Sequence, residues 1–171
     1  MIGKVYNIPP QPPVAENTRK FPAGAVTLGV EYRDVDPDAL RATYAGNEAH
    51  LAELEERSPE GGFFDTGVSI HVCATDDGYE YLRFDCFDDE PHYHYIHRGL
   101  DGSVVNQVID FDAVAGGDML AWALERIRTR LPEMLATAGG EALADRVDQS
   151  AVDAALEQVR AAAKVARAAR S

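Results

Sequence analysis

Four runs of alternating apolar and polar residues follow one another in the middle of the chain, at 66–75, 79–87, 91–97 and 103–111. Each is rich in Val, Ile, Tyr or Phe and bounded by turn-forming residues, which predicts four consecutive strands. An earlier run, "AVTLGVEYR" from Ala25 to Arg33, has the same period and predicts a strand of its own. Helical spacing takes over between them. Asp36-Pro37-Asp38 supplies an N-cap carboxylate, proline at the first helical position and acid in the first turn. Leu40, Tyr44, Asn47, Leu51 and Leu54 then share one face until "RSPEGG" ends the helix near Arg57.

The pattern turns helical again after Asp118, with Leu120, Leu124, Ile127, Leu131 and Met134 on one stripe and Pro132 expected to kink or restart the helix. A short helix is expected from Glu141. Ser150 and Asp153 resemble a capping box that opens a last helix with Val152, Leu156, Val159 and Ala163 inward. The order β-α-β-β-β-β-α-α predicts an α+β fold: a four- to five-stranded antiparallel sheet with helices packed on one face.

Length and composition fit this reading, since 171 residues with 46% apolar side chains suffice for one core. Residues 26–171 are expected to form that domain. Residues 1–25 are expected to be an extended arm, because "IPPQPPVAENTRKFPAG" carries five prolines and no apolar period. Val5, Tyr6, Ile8 and Phe21 are the side chains with which such an arm can anchor to a neighbouring subunit.

Charge narrows the partners. The stretch from Glu31 to Asp101 holds 18 acids against 5 Lys/Arg, which accounts for the whole net charge of −13. Such a field disfavours phosphate backbones, so no nucleic-acid partner is expected, and it favours basic proteins or cations. No run of apolar residues is long enough to span a membrane, and the N-terminus lacks the apolar stretch of a signal peptide. The two cysteines, Cys73 and Cys86, offer neither a disulfide framework nor a zinc spacing, and a reduced, cytoplasmic setting is the expectation.

Candidate chemistry sits in "LRFDCFDDEPHYHYIHRG", residues 82–99, which contains three of the five histidines. A three-residue turn at Asp76-Asp77-Gly78 pairs Val72 with Leu82 and Ile70 with Phe84. A four-residue loop, 88–91, then pairs Asp85 with His94 and Phe87 with His92. One face becomes apolar, and the other gathers His71, Arg83, Asp85, His92 and His94. Imidazoles two residues apart on a strand point the same way, so His92, His94 and Asp85 form a candidate divalent-metal set. His94 with Asp85 is equally a candidate acid–base pair. Arg83 is expected to compete for Asp85.

The leading expectation is a small accessory or interaction protein. It would homo-oligomerise or dock on a larger partner through the arm and the polar sheet face, with Tyr6, Ile8, Phe21, His71 and Arg83 at the contact. The alternative is a histidine-dependent metal-binding protein or enzyme centred on His92, His94 and Asp85. A weaker one is an acidic, immunity-type protein that blocks a basic partner. Whether the protein is an enzyme, and whether it uses any cofactor, a divalent metal ion included, is open from the sequence.

Overall fold

A computed structural model describes residues 3–170. Its centre is one antiparallel sheet of seven strands, so the expected four- to five-stranded sheet is corrected to seven. The strands are β1 (Gly3–Tyr6), β2 (Arg19–Ala23), β3 (Val26–Val35), β4 (Asp65–Ala74), β5 (Glu80–Phe87), β6 (His92–Arg98) and β7 (Val104–Asp110). Their order across the sheet is β1-β7-β6-β5-β4-β3-β2. β3 to β7 form a meander.

The two strands that the alternation missed come from the proline-rich segment. β1 pairs with β7 at one edge, and β2 pairs with β3 at the other. Edge strands need only half of their backbone groups in a ladder, so Pro22 is tolerated in β2. The residues between them, 7–18, cross the sheet from one edge to the other. Six strand spacings of ~4.8 Å make about 29 Å. A dozen extended residues at ~3.1 Å each span that distance, and proline stiffness favours the extended form.

The helices lie on both faces rather than one. On the apolar face, α4 (Met119–Thr137) and α6 (Gln149–Ala168) cover Val68, Ile70, Val72, Leu82 and Phe84 with Leu124, Ile127, Leu131, Val152, Leu156 and Val159. The short helices α3 (Ala113–Gly116) and α5 (Glu141–Ala144) flank α4. Helix α4 runs through Pro132 without a break, because Leu131, Met134 and Leu135 around it are buried in the core. Packing there outweighs the roughly 3 kcal/mol that an interior proline costs. Asp148, not Ser150, caps α6 by accepting from the Ala151 amide.

On the polar face, the stretch read as one helix is two, α1 (Pro37–Thr43) and α2 (Glu48–Arg57). Gly46, at φ +87°, turns the chain between them, and Asn47 caps α2 through the His50 amide. Asp36 caps α1, accepting from the amides of Asp38 and Ala39. No helix among the described residues is long and apolar enough to cross a membrane.

Gly67 marks a close approach in the sheet. Its φ is +157°, and an added Cβ would lie 2.6 Å from the Cys86 carbonyl oxygen and 2.8 Å from Phe87 Cα. Both obstacles are backbone and cannot swing aside. Gly67→Ala is expected to lower unfolding stability by about 2 kcal/mol, in the range of strained backbone positions. Chemical denaturation checks this, and an unchanged midpoint would show that β4 and β5 are less closely held.

Candidate metal centre

Two rungs of same-face residues cross the polar side of the sheet. The first runs Glu31–Ser69–Asp85–His92–Asp110, and the second Gly29–His71–Arg83–His94–Val108. The turn at 76–78 gives the expected pairs Val72–Leu82 and Ile70–Phe84. Beyond Val72 the ladder bulges, and Cys73 pairs with Glu80 instead of Tyr81. Tyr81 packs against the apolar core, and Glu80 joins His71 and Arg83. The bulge therefore places a carboxylate where strict alternation puts a phenol.

The second hairpin is shifted by two residues from the expected register. Asp85 pairs with His92, Arg83 with His94, and Phe84 with Tyr93. The loop is longer because Asp65 organises it: its Oδ1 accepts from the Asp89 amide at 3.2 Å and its Oδ2 from the Glu90 amide at 2.8 Å. A two-residue shift preserves parity, so both imidazoles still share a face with Asp85.

Asp85 is buried, and both histidines converge on one of its oxygens. His94 Nε2 lies 3.0 Å and His92 Nε2 3.3 Å from Asp85 Oδ2. Ser69 Oγ donates a short hydrogen bond to the other oxygen, Oδ1. The far side of each ring is also engaged. His92 Nδ1 meets the Glu90 carbonyl at 2.6 Å, and His94 Nδ1 meets Asn106 Oδ1 at 2.8 Å. Both partners are acceptors, so each Nδ1 donates, and each Nε2 facing the carboxylate bonds it only with a second ring proton or a cation in its place. Asp85, His92 and His94 offer ligand atoms that all lie within 4.8 Å of one another.

The electrostatics separate the two rings. Burial lowers His92, but the Asp85 hydrogen bond and charge, with the Glu90 carbonyl, outweigh it and leave this histidine above its usual value. For His94 burial prevails over Asp85, the neighbouring His92 adds to it, and the ring is pushed down. Burial raises Asp85, yet hydrogen bonds from His92 and His94 hold it well below the carboxylate range.

Arg83 does not compete for Asp85. It forms a bidentate pair with Glu80, Nε to Oε1 at 2.9 Å and Nη2 to Oε2 at 2.7 Å. His71 bridges two carboxylates, with Nδ1 2.5 Å from Glu80 Oε1 and Nε2 3.0 Å from Glu31 Oε2. Glu31 and Glu80 were missed in the sequence. Glu31 was detectable, since it alternates with Val30 and Tyr32 on the polar side of β3; Glu80 was hidden by the bulge.

Four of the five residues expected at a subunit contact, Ile8, Phe21, His71 and Arg83, are buried within the chain. His71 and Arg83 are 1% and 2% exposed, Phe21 is in the core, and Ile8, in the crossing segment, is buried. Tyr6, in β1, is half-buried and lines the cavity described next. Cys73 and Cys86 are free thiols, with Cys86 buried in the core and the Cys73 thiol pushed up to about 12 by burial.

A cavity of about 310 Å³ opens above the histidines. Its floor is Arg33, Arg83, Asp85, His92, His94 and Asn106; Leu40, Tyr44, Leu54 and Phe63 form its walls. Tyr6 from β1 and Ile8, Pro10 and Gln11 from the crossing segment close one side. That segment is tied down by polar contacts: Tyr44 Oη donates to the Pro9 carbonyl at 2.6 Å, and Glu31 Oε1 accepts from the Val14 amide at 3.1 Å. Sequence comparison matches no curated protein and no solved structure. A sequence profile matches residues 20–163, and the chain belongs to the family it describes, "Domain of unknown function (DUF7700)".

Proposed function

We propose that this protein binds a divalent metal ion through Asp85, His92 and His94 and uses it on a small molecule held in the cavity. One observation carries the reading: two imidazole Nε2 atoms, their Nδ1 positions engaged by acceptors, aim at one buried carboxylate oxygen. A neutral ring in that tautomer would present a lone pair to a negative charge, so either a second proton on the ring or a metal ion must lie between Nε2 and the carboxylate. The spacing suits an ion. Donors ~2.1 Å from one centre, ~90–109° apart, are separated by about 3.0–3.4 Å.

The surroundings also favour a metal. Ligating histidines characteristically donate their other N–H to a carbonyl or similar acceptor, and a ligating carboxylate is itself hydrogen-bonded. Glu90, Asn106 and Ser69 occupy those positions. Two imidazoles and a carboxylate, without thiolate, suit Zn²⁺, Mn²⁺, Fe²⁺ or Ni²⁺. Three protein donors leave coordination positions for water or substrate, as catalytic sites do. The reading as an interaction subunit relied on the arm and the polar face, and both are engaged within the chain.

A second reading draws on the opposed shifts of His92 and His94, which suit an acid and a base around Asp85. Metal analysis separates the two. Protein purified without an affinity tag is expected to hold one ion per chain, and His94→Ala or Asp85→Asn to hold less than a tenth of that. Added Zn²⁺ or Mn²⁺ is expected to raise the unfolding temperature of metal-stripped protein but not of the variants. Substoichiometric metal with an unmoved unfolding temperature would leave the acid–base reading.

A further inference from the structure

We infer that the cavity takes a small organic acid, its carboxylate held by Arg33 and its other end directed to the Asp85–His92–His94 centre. The role of the far end rests on the metal reading, whereas the anion contact does not. Charge pairing beneath the cavity leads to this residue. Arg83 is matched by Glu80 and His71 by Glu31, while Arg57, at the rim, lies 3.6 Å from Glu53. Arg33 alone of these has neutral partners. Its Nη2 donates to Gln11 Oε1 at 2.6 Å and its Nη1 to the Gln11 carbonyl at 3.4 Å, and among the described residues no carboxylate pairs with it.

Arg33 is nonetheless only 6% exposed. A guanidinium in that position loses hydration without the return of an ion pair, and a ligand anion would restore the balance. Burial and the nearby Arg83 lower its pKa, with Asp85, Glu31 and Glu80 acting in the other direction. Its planar fork has donors for a bidentate carboxylate contact.

The other walls define the rest of the ligand. Val35, Leu40, Tyr44, Leu54 and Phe63 suit an apolar body. About 310 Å³ is at the small end of ligand pockets, which run from roughly 300 to 1,000 Å³. Asp85, Glu90 and Asp110 also line the cavity, so a monoanion fits better than a phosphate dianion. On the sheet lattice Arg33 is one same-face rung and two strands from Asp85, about 12 Å between Cα atoms. An acid of a few carbons bridges the gap left by the side chains.

Calorimetric titration of the full chain with hexanoate and with hexanamide, on chelator-treated and Zn²⁺-loaded protein, tests the proposal. Hexanoate is expected to bind at least tenfold more tightly than the amide, as one charge-assisted contact allows. Arg33→Met should abolish that preference with unchanged metal content, and Arg33→Lys should keep part of it. Gln11→Ala, which frees the guanidinium, should tighten hexanoate binding. If Arg33→Met does not fold, the amide comparison and Gln11→Ala decide.

Equal binding of acid and amide, or binding of neither, overturns the proposal even where one ion per chain is present. Arg33-dependent preference for the acid in a protein that takes up no metal upholds the anion site and removes the metal centre.

Discussion

Arg83→Met is expected to destabilise the fold by about 3–5 kcal/mol, the cost of removing one partner from a buried ion pair. Methionine replaces much of the arginine stem, so the loss is chiefly electrostatic. The substitution strips the bidentate partner from Glu80, which then has only His71 against it in a largely buried site. Glu80 now lies well below the carboxylate range because Arg83 and His71 outweigh its burial. Without Arg83 that carboxylate must protonate or open the sheet. Adding Glu80→Gln to Arg83→Met should recover part of the stability, since no uncompensated charge is left. Arg128, which holds Glu125 in the same bidentate way on the surface of α4, is the control. Arg128→Met should leave the urea midpoint unmoved. If Arg83→Met and Arg128→Met behaved alike, the buried network would not hold the polar face together.

The second large effect is a dependence of stability on pH from the same network. His71 is completely buried, which lowers its pKa, but the charge and hydrogen bond of Glu80 and the hydrogen bond of Glu31 prevail and raise it above the ordinary 6.5. A raised histidine contributes stability fully below pH 6.5, and that contribution disappears as pH rises through the folded value. Glu80 has the opposite sign. Its stabilising contribution is present above 4.5 and is lost as pH falls. The groups facing His71 are Glu31 from β3 and Glu80 and Arg83 from β5, so the window is set by these.

The free-energy difference between wild type and His71→Gln is therefore expected to be largest near pH 5.5–6.5 and to shrink above it. The slope cannot exceed about 1.4 kcal/mol per pH unit for one proton. Urea titrations at several pH values measure this directly. A difference that stays constant from pH 6 to 9 would mean that His71 is neutral in the folded state.

These networks also fix the groups of the polar face in place. Ser69, Asn106 and the Glu90 carbonyl each fix one group of the Asp85–His92–His94 set, and strands rather than loops carry both histidines. The crossing segment contributes little to the core. Its polar contacts with Tyr44, Glu31 and Arg33 instead give the cavity its outer side.

Much of this was written locally. The period of two, the glycine turn at 76–78 and the aspartate caps at Asp36 and Asp118 act over a few residues, so alternation alone separated Leu82, Phe84 and Tyr93 from Arg83, Asp85 and His92. Parity withstood even the two-residue shift of the second hairpin. The shift itself came from Asp65, 24 residues away from the Asp89 amide that it holds, and no local pattern encodes such a tether.

The same distinction separates the remaining features. Apolar spacing and turn chemistry determined which side chains face away from the core, because each is a property of neighbouring residues. Tertiary structure decided that "GKVY" and "RKFPA" become edge strands, since a short segment gains a ladder only where a sheet edge is already waiting. It also decided, through the bulge at Cys73, that Glu80 neutralises Arg83 and leaves Asp85 to the two histidines. Charge pairing depends on distances across strands, and those exist only once the sheet has formed.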